Sequence, residues 1–175
     1  MKWIRALIEY RPGTADDAGG YVAHMNRMGA ESDFLSFAGD AFFLTEDKVR
    51  DFLDDLVRAK NQAFFVAELP DRLIGQVTLE SSPRPRLGHA AELRIGVARP
   101  FWGQGVAKQL MALAVDFFEA NDELTRLALE VSLRNERGIA LYRRFGFAEE
   151  GIKRKAFKVG GQYDDLVIMA RIKDI

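Results

Sequence analysis

The spacing of apolar and polar positions changes several times along the chain, and each change marks an element. Ile4–Tyr10 reads as a strand, closed by an Arg11-Pro12-Gly13 turn. Thr14 with Asp16 and Asp17 suits a helix start, placing acidic side chains at the positive end of the helix dipole. The spacing predicts that helix over Ala15–Met28, with Gly29 as its stop. Glu31–Phe43 is apolar but aperiodic and takes no assignment. Thr45, Glu46 and Asp47 open a second helix, whose Val49, Phe52, Leu53, Leu56 and Val57 recur at helical spacing. The rhythm then becomes sheet-like. Ala63–Leu69 and Leu73–Leu79 form a predicted hairpin over Pro70-Asp71-Arg72, followed by a Ser81–Gly88 loop and an Ala90–Val97 strand. A strong helix follows, with Val106, Leu110, Leu113, Ala114 and Phe117 on one face. Leu127–Val131 is a short buried strand, and Arg134–Arg144 a helix stopped by Gly146. Phe147–Phe157 and Tyr163–Ile172 are two last strands, joined over the tight-turn pair Gly160-Gly161. The order is mixed α/β, with hairpins before the central strand and a crossover helix after it.

Composition narrows the classes. A chain of 175 residues, 48% hydrophobic and 29% charged, is expected to be one soluble domain over 1–175. It has no cysteine, which excludes disulfides, thiolate metal sites and a cysteine nucleophile. His24 and His89 are far apart and without ligand-like company, so no metal is expected. The net charge of -1 lacks the basic excess of a nucleic-acid binder. The apolar run Leu110–Val115 ends at Asp116, too short for a membrane span, and Met1–Arg5 does not resemble a signal segment. A cytoplasmic location is the expectation.

The most informative segment is Leu93–Ala114. A strand ends at Val97, a Pro-containing turn follows, and the chain enters a helix through Gly103-Gln104-Gly105-Val106-Ala107. Small residues let backbone approach a ligand closely, and a helix N-terminus offers unpaired N–H groups to a phosphate. The same glycines also suit a purely conformational turn. Two phosphate motifs fail on the letters: Lys108 stands where the dinucleotide fingerprint wants Gly or Ala, and Gly-Lys-Ser/Thr is absent. Val97, Pro100, Phe101 and the run Trp102 to Ala107 instead resemble the acyl-CoA loop of the GNAT acetyltransferase superfamily. That loop usually begins with Arg or Gln where this chain has Trp102.

A second block agrees. Leu129-Glu130-Val131, Asn135, Ala140-Leu141-Tyr142 and Phe145-Gly146-Phe147 are similar, in order and spacing, to the family's second motif. Asn135 also reads as a helix cap and Tyr142 as core, two turns along on the same face. Gly161-Gln162-Tyr163-Asp164-Asp165 before Met169 looks like the ending of many N-acetyltransferases.

The resemblance implies a GNAT-like fold with a mostly antiparallel sheet, splayed around its central strand to admit acetyl-CoA. It implies that backbone amides of Gly103, Gln104, Gly105, Val106, Ala107 and Lys108 hold the pyrophosphate. Val97 would pair with the pantetheine arm, and Asn135 would stand at the cofactor. Tyr142 takes the general-acid position and Glu92 the place of a catalytic glutamate, although Glu92 reads equally well as a strand-face carboxylate paired with Arg94. Glu31 and Asp33 could hold a cationic substrate or be a solvated pair. Lys153-Arg154-Lys155 reads as a solvated strand surface, with a contact to the CoA 3′-phosphate as the alternative. The function implied is N-acetyl transfer from acetyl-CoA to a primary amine, on a small molecule, a polyamine or a protein N-terminus. A catalytically silent acyl-CoA-binding module is the alternative, and a homodimer is compatible with the resemblance.

Overall fold

The computed structural model describes residues 7–38 and 42–174. These form one seven-stranded sheet in the order β1-β2-β3-β4-β5-β7-β6. The strands are β1 (Glu9–Pro12), β2 (Ala63–Leu69), β3 (Arg72–Ser81), β4 (Ala90–Val97), β5 (Arg126–Ser132), β6 (Ala148–Val159) and β7 (Gln162–Ile172). Four helices flank them: α1 (Ala18–Glu31), α2 (Glu46–Arg58), α3 (Val106–Ala120) and α4 (Glu136–Arg144). Every neighbouring pair is antiparallel except β4 and β5, which are parallel and connected through α3. That one parallel pair needs a crossover, and the amphipathic α3 supplies it.

The first elements differ from the sequence expectation. Ile4 to Ala6 lie outside the described residues, and β1 continues through Arg11 and Pro12 instead of turning there. Pairing of Pro12 with Phe65 on β2 overrides the turn signal, and an edge strand tolerates the missing donor. Arg11 then ties three elements, donating to Glu68 on β2 (2.7 and 2.8 Å) and to Asp17 (2.9 and 2.7 Å). Ala15–Asp17 is a 3-10 turn, and α1 runs through Gly29 to Glu31. Gly29 is buried against neighbouring residues, so packing rather than propensity decides its conformation. The helix α2 starts as expected, with Lys48 N–H donating to Thr45 Oγ1. Val57 leaves the predicted apolar face and is exposed, while Val49, Leu53 and Leu56 are buried. The β6–β7 turn has both glycines at positive φ, 55° and 84°, as a tight hairpin connection requires.

Two apolar layers cover the sheet. On one face α3 sends Val106, Leu110, Met111, Ala114 and Phe118 against Ala91 and Leu93 of β4 and Leu127, Leu129 and Val131 of β5. Ile139 and Tyr142 of α4 join this layer. Burying a side chain such as Leu110 contributes about 1.5–3 kcal/mol. On the other face α1 and α2 pack Tyr21, Met25, Met28, Leu53 and Leu56 on Phe64, Val66 and Leu73. His24 of α1 is fully buried there, and among the described residues neither ring nitrogen has a hydrogen-bond partner in good geometry. Burial pushes its pKa down to about 4, which the nearby Gly96 backbone offsets only in part, so the ring is neutral at pH 7.

Candidate functional site

β4 and β5 part company after three pairs. Ala90, Ala91 and Glu92 face Arg126, Leu127 and Ala128, and no pairing follows. From Leu93 to Val97, β4 keeps only β3 as a partner; from Leu129 to Ser132, β5 keeps only β7. The expected splay is therefore present, with its vertex at Glu92 and Ala128. Ala98 N–H donates to Ile74 O on β3 (2.9 Å). Alternation along an antiparallel pair then turns the N–H and C=O of Leu93, Ile95 and Val97 the other way, into the gap. Beyond the last β4–β5 pair, the Ile95 backbone and the Val97 N–H thus face the gap inside the sheet, a site for a ligand with amides of its own, while Val97 O is taken by the Trp102 indole.

The loop at the open end of this gap is built for close backbone approach. Phe101 is buried and anchors the 3-10 turn Arg99–Phe101, and Gln104 folds its side chain back on Pro100 O (2.6 Å). Gly103 and Gly105 take φ of 72° and 93°, a region that side chains disfavour. Gly105 is the N-cap of α3 and no side chain caps that end. The first-turn amides, at Val106, Ala107 and Lys108, therefore keep the donors that a helix start leaves unpaired. A Cβ added at Gly105 would meet no atom within 4 Å, so the cradle is open on that side. Val106 is buried and Lys108 exposed, so these residues offer a ligand backbone more than side chains. The Trp102 indole N–H donates to Val97 O (2.6 Å), tying the loop to the end of β4.

Across the gap, Asn135 is the N-cap of α4, its Oδ1 accepting from Gly138 N–H (3.0 Å). Tyr142 lies two turns on, buried in the α3-side layer with its ring 6.1 Å from that of Phe147. Burial pushes its phenol up to about 12, and among the described residues its hydroxyl has no hydrogen-bond partner. Asp164 fixes the wall behind. Burial alone would raise its carboxyl, but hydrogen bonds from Ser132 (2.5 Å) and Arg134 (3.0 Å) hold it below the ordinary range. Neither partner carries a sequence signal, because the contacts join the end of β5 to the start of β7.

Glu92 emerges on the opposite face from Tyr142, half exposed, and pairs with Arg94 (3.1 Å). Arg94 also meets Glu80 of β3 (2.6 Å), which accepts from Thr78 Oγ1 (2.9 Å). The pairing with Arg94 was legible in the sequence; Glu80 was not, since it depends on the β3–β4 register. Glu31 and Asp33 do not act as a pair. Glu31 accepts from Arg99 N–H (2.7 Å) and so ties the end of α1 to the Arg99–Phe101 turn, while Asp33 is exposed. Lys153 pairs with Glu130, and Arg154 and Lys155 are exposed on the edge strand. Among the described residues no cluster of His, Asp or Glu could hold a metal ion. No helix among them is long and apolar enough to cross a membrane.

The geometry has counterparts. An L-amino acid N-acetyltransferase of Escherichia coli, AaaT, is 32% identical over 108 residues, covering 62% of this chain and 67% of the relative. The Escherichia coli spermidine N(1)-acetyltransferase is 29% identical over 122 residues, covering 70% of this chain and 64% of the relative. The chain thus spans about two thirds of the length of these relatives. A crystal structure of an acetyltransferase of the GNAT family from Streptococcus pneumoniae superposes with a TM-score of 0.89 at 29% identity, over 94% of this chain and 98% of that one. The profile of the acetyltransferase (GNAT) family matches residues 31–147, which include the splayed strands, the glycine loop, Asn135 and Tyr142. With sequence profile, fold and splayed sheet in agreement, the chain belongs to the acetyltransferase (GNAT) family.

Proposed function

We propose that this chain transfers an acetyl group from acetyl-CoA to a primary amine, within a single domain. The observation that carries the reading is the gap between β4 and β5, with uncapped amides at its mouth, Tyr142 on one face and Glu92 with Glu80 and Arg94 on the other. In this reading the amides of Gly103 to Lys108 hold the pyrophosphate, and the backbone of Val97 and Ile95 meets the pantetheine arm. The Asn135 Nδ2 group remains as a further donor.

Acetyl transfer needs a neutral amine, a donor for the carbonyl oxygen, and a proton for the departing sulfur. The amine nitrogen bonds to the acetyl carbon, the C–S bond breaks, and one proton passes from nitrogen to sulfur overall. Tyr142 stands on the face of α3 as the proton donor to sulfur. Glu92 stands on the face of α1 and α2 to receive the amine's proton. Glu80, Glu92 and Arg94 together carry a net negative charge, and Arg94 is already engaged by both carboxylates. That arrangement suits a cationic amine better than an acceptor whose own carboxylate needs an arginine. Asp33 adds a further exposed carboxylate at the end of α1.

A side-chain-type amine with pKa ~10.4 costs ~4.6 kcal/mol to deprotonate at pH 7, whereas an α-amine near ~8 costs ~1.4 kcal/mol. A base at Glu92 therefore matters most for the polyamine class. The test follows free thiol and the N-acetylated product for polyamines, amino acids and short peptides, in the parent protein and in Glu92→Gln. The parent is expected to turn over polyamines. The variant is expected to lose more rate with polyamines than with α-amines, and the difference should shrink as pH rises. Equal losses for both classes at every pH would make Glu92 a structural strand residue. Binding of acetyl-CoA without turnover of any amine would replace the enzyme by a binding module.

A further inference from the structure

We propose that Arg137 supplies the cation that binds the pyrophosphate of the acyl donor, seated on Trp102 as its platform. The proposal rests on the cofactor reading above and names a residue outside the glycine loop. Arg137 belongs to the first turn of α4, on the far side of the β4–β5 gap from the loop. Its guanidinium carbon nevertheless stands 5.9 Å from the centroid of the Trp102 ring. Its Nη2 lies 3.5 Å from where a Cβ on Gly103 would be, so the charge hangs directly beside the loop amides.

Three features of this contact point to an anionic ligand. First, a cation in the first turn of a helix opposes the helix dipole, at a cost to local stability that a bound anion would reverse. Second, among the described residues no carboxylate pairs with Arg137, whereas Arg134 and Arg143 nearby are held by Asp164 and Glu149. Third, the platform is fixed, because the indole N–H is bound to Val97 O (2.6 Å). A guanidinium resting on an aromatic ring keeps its N–H edge free for in-plane, two-point donation to phosphate oxygens. Bound pyrophosphate would then bridge the first turns of α3 and α4 and close the mouth of the gap. The arrangement also accounts for Trp102. With Trp102 at the loop's first position in place of Arg or Gln, and the Gln104 side chain folded back on Pro100 O, the cation arrives from α4 and the loop supplies the seat.

Calorimetric titration of the parent protein and of Arg137→Ala tests the assignment, with acetyl-CoA and its 3′-dephospho form as ligands. Hydrogen bonds to charged groups are strong enough that the dissociation constant of both ligands should rise on the order of 10- to 100-fold. With S-acetylpantetheine as donor, which has no pyrophosphate, kcat/KM should stay within twofold of the parent. Trp102→Arg combined with Arg137→Ala should recover most of the lost affinity, by placing the cation on the loop. A similar loss with S-acetylpantetheine would show a structural role for Arg137 and overturn the proposal. An unchanged dissociation constant for acetyl-CoA would overturn it as well. A loss seen with acetyl-CoA but not with its dephospho form would move the contact to the 3′-phosphate and overturn the pyrophosphate assignment. Failure of the parent protein to bind acetyl-CoA at all would overturn the cofactor reading itself, and this proposal with it.

Discussion

Tyr142→Phe is expected to lower kcat about 100-fold and to leave the dissociation constant of acetyl-CoA within twofold of the parent. The variant keeps the ring, and with it the packing on Phe147 and the α3-side layer. It deletes one proton. The Tyr142 hydroxyl has no hydrogen-bond partner among the described residues, so its removal leaves no protein group unsatisfied and the fold should be as stable as the parent. General acid catalysis typically contributes ~10²–10⁴-fold. Two considerations favour the lower end. A thiolate with pKa near ~8.5 leaves tolerably well without help. Burial also pushes the phenol up to about 12, which makes it a weaker acid than an exposed tyrosine. The same shift keeps the group protonated throughout the neutral range, so the donor is always loaded. Steady-state kinetics with acetyl-CoA saturating decide the point. A kcat within twofold of the parent, with chemistry rate-limiting, would assign the proton to another group and leave Tyr142 as core.

Gly105→Val should abolish most of the stabilisation that acetyl-CoA confers. A ligand seen only by the native state adds ~2.7 kcal/mol at a hundredfold excess over Kd, which corresponds to about 5–10 °C in Tm for a chain of this size. In the free protein a side chain at Gly105 meets nothing within 4 Å, so the variant has room to fold. Its cost there is the left-handed backbone at φ 93°, on the order of 1–2 kcal/mol, seen as a lower starting Tm. In the complex the branched side chain occupies the space beside the loop amides that the pyrophosphate requires. Thermal melts with and without acetyl-CoA separate the two effects. A folded variant with an undiminished ligand shift would place the pyrophosphate elsewhere.

Much of this was legible in the sequence where the signal is local. The strands Ala63–Leu69 and Ala90–Val97 have the predicted bounds, because alternation and turn residues mark both ends. Asn135 as a cap, Gly146 at positive φ and the glycine loop before α3 follow from backbone requirements within a few residues. What escaped depends on partners distant along the chain. Pro12 is held in a strand by Phe65, and Glu31 meets the Arg99 amide across 68 residues. Arg137 finds Trp102 only because the crossover brings the starts of α3 and α4 to the same end of the gap. The carboxylate Glu80 stands opposite Glu92 and meets Arg94 diagonally, through a register that no single strand encodes. Local chemistry thus predicts the cradle, and tertiary pairing decides which charges surround it.

The central claim is that the gap between β4 and β5 receives the acyl donor along the free edge of β4. Residue-resolved amide hydrogen exchange, with and without saturating acetyl-CoA, addresses it directly. In the free protein Arg94 and Gly96 should already exchange slowly, since their amides pair with β3, while Ile95 and Val97, beyond the last β4–β5 pair, should exchange faster. Acetyl-CoA is predicted to slow Ile95 and Val97 together with the loop amides from Gly105 to Lys108. Protection confined to other parts of the chain, with Ile95 and Val97 unchanged at saturation, would contradict the account.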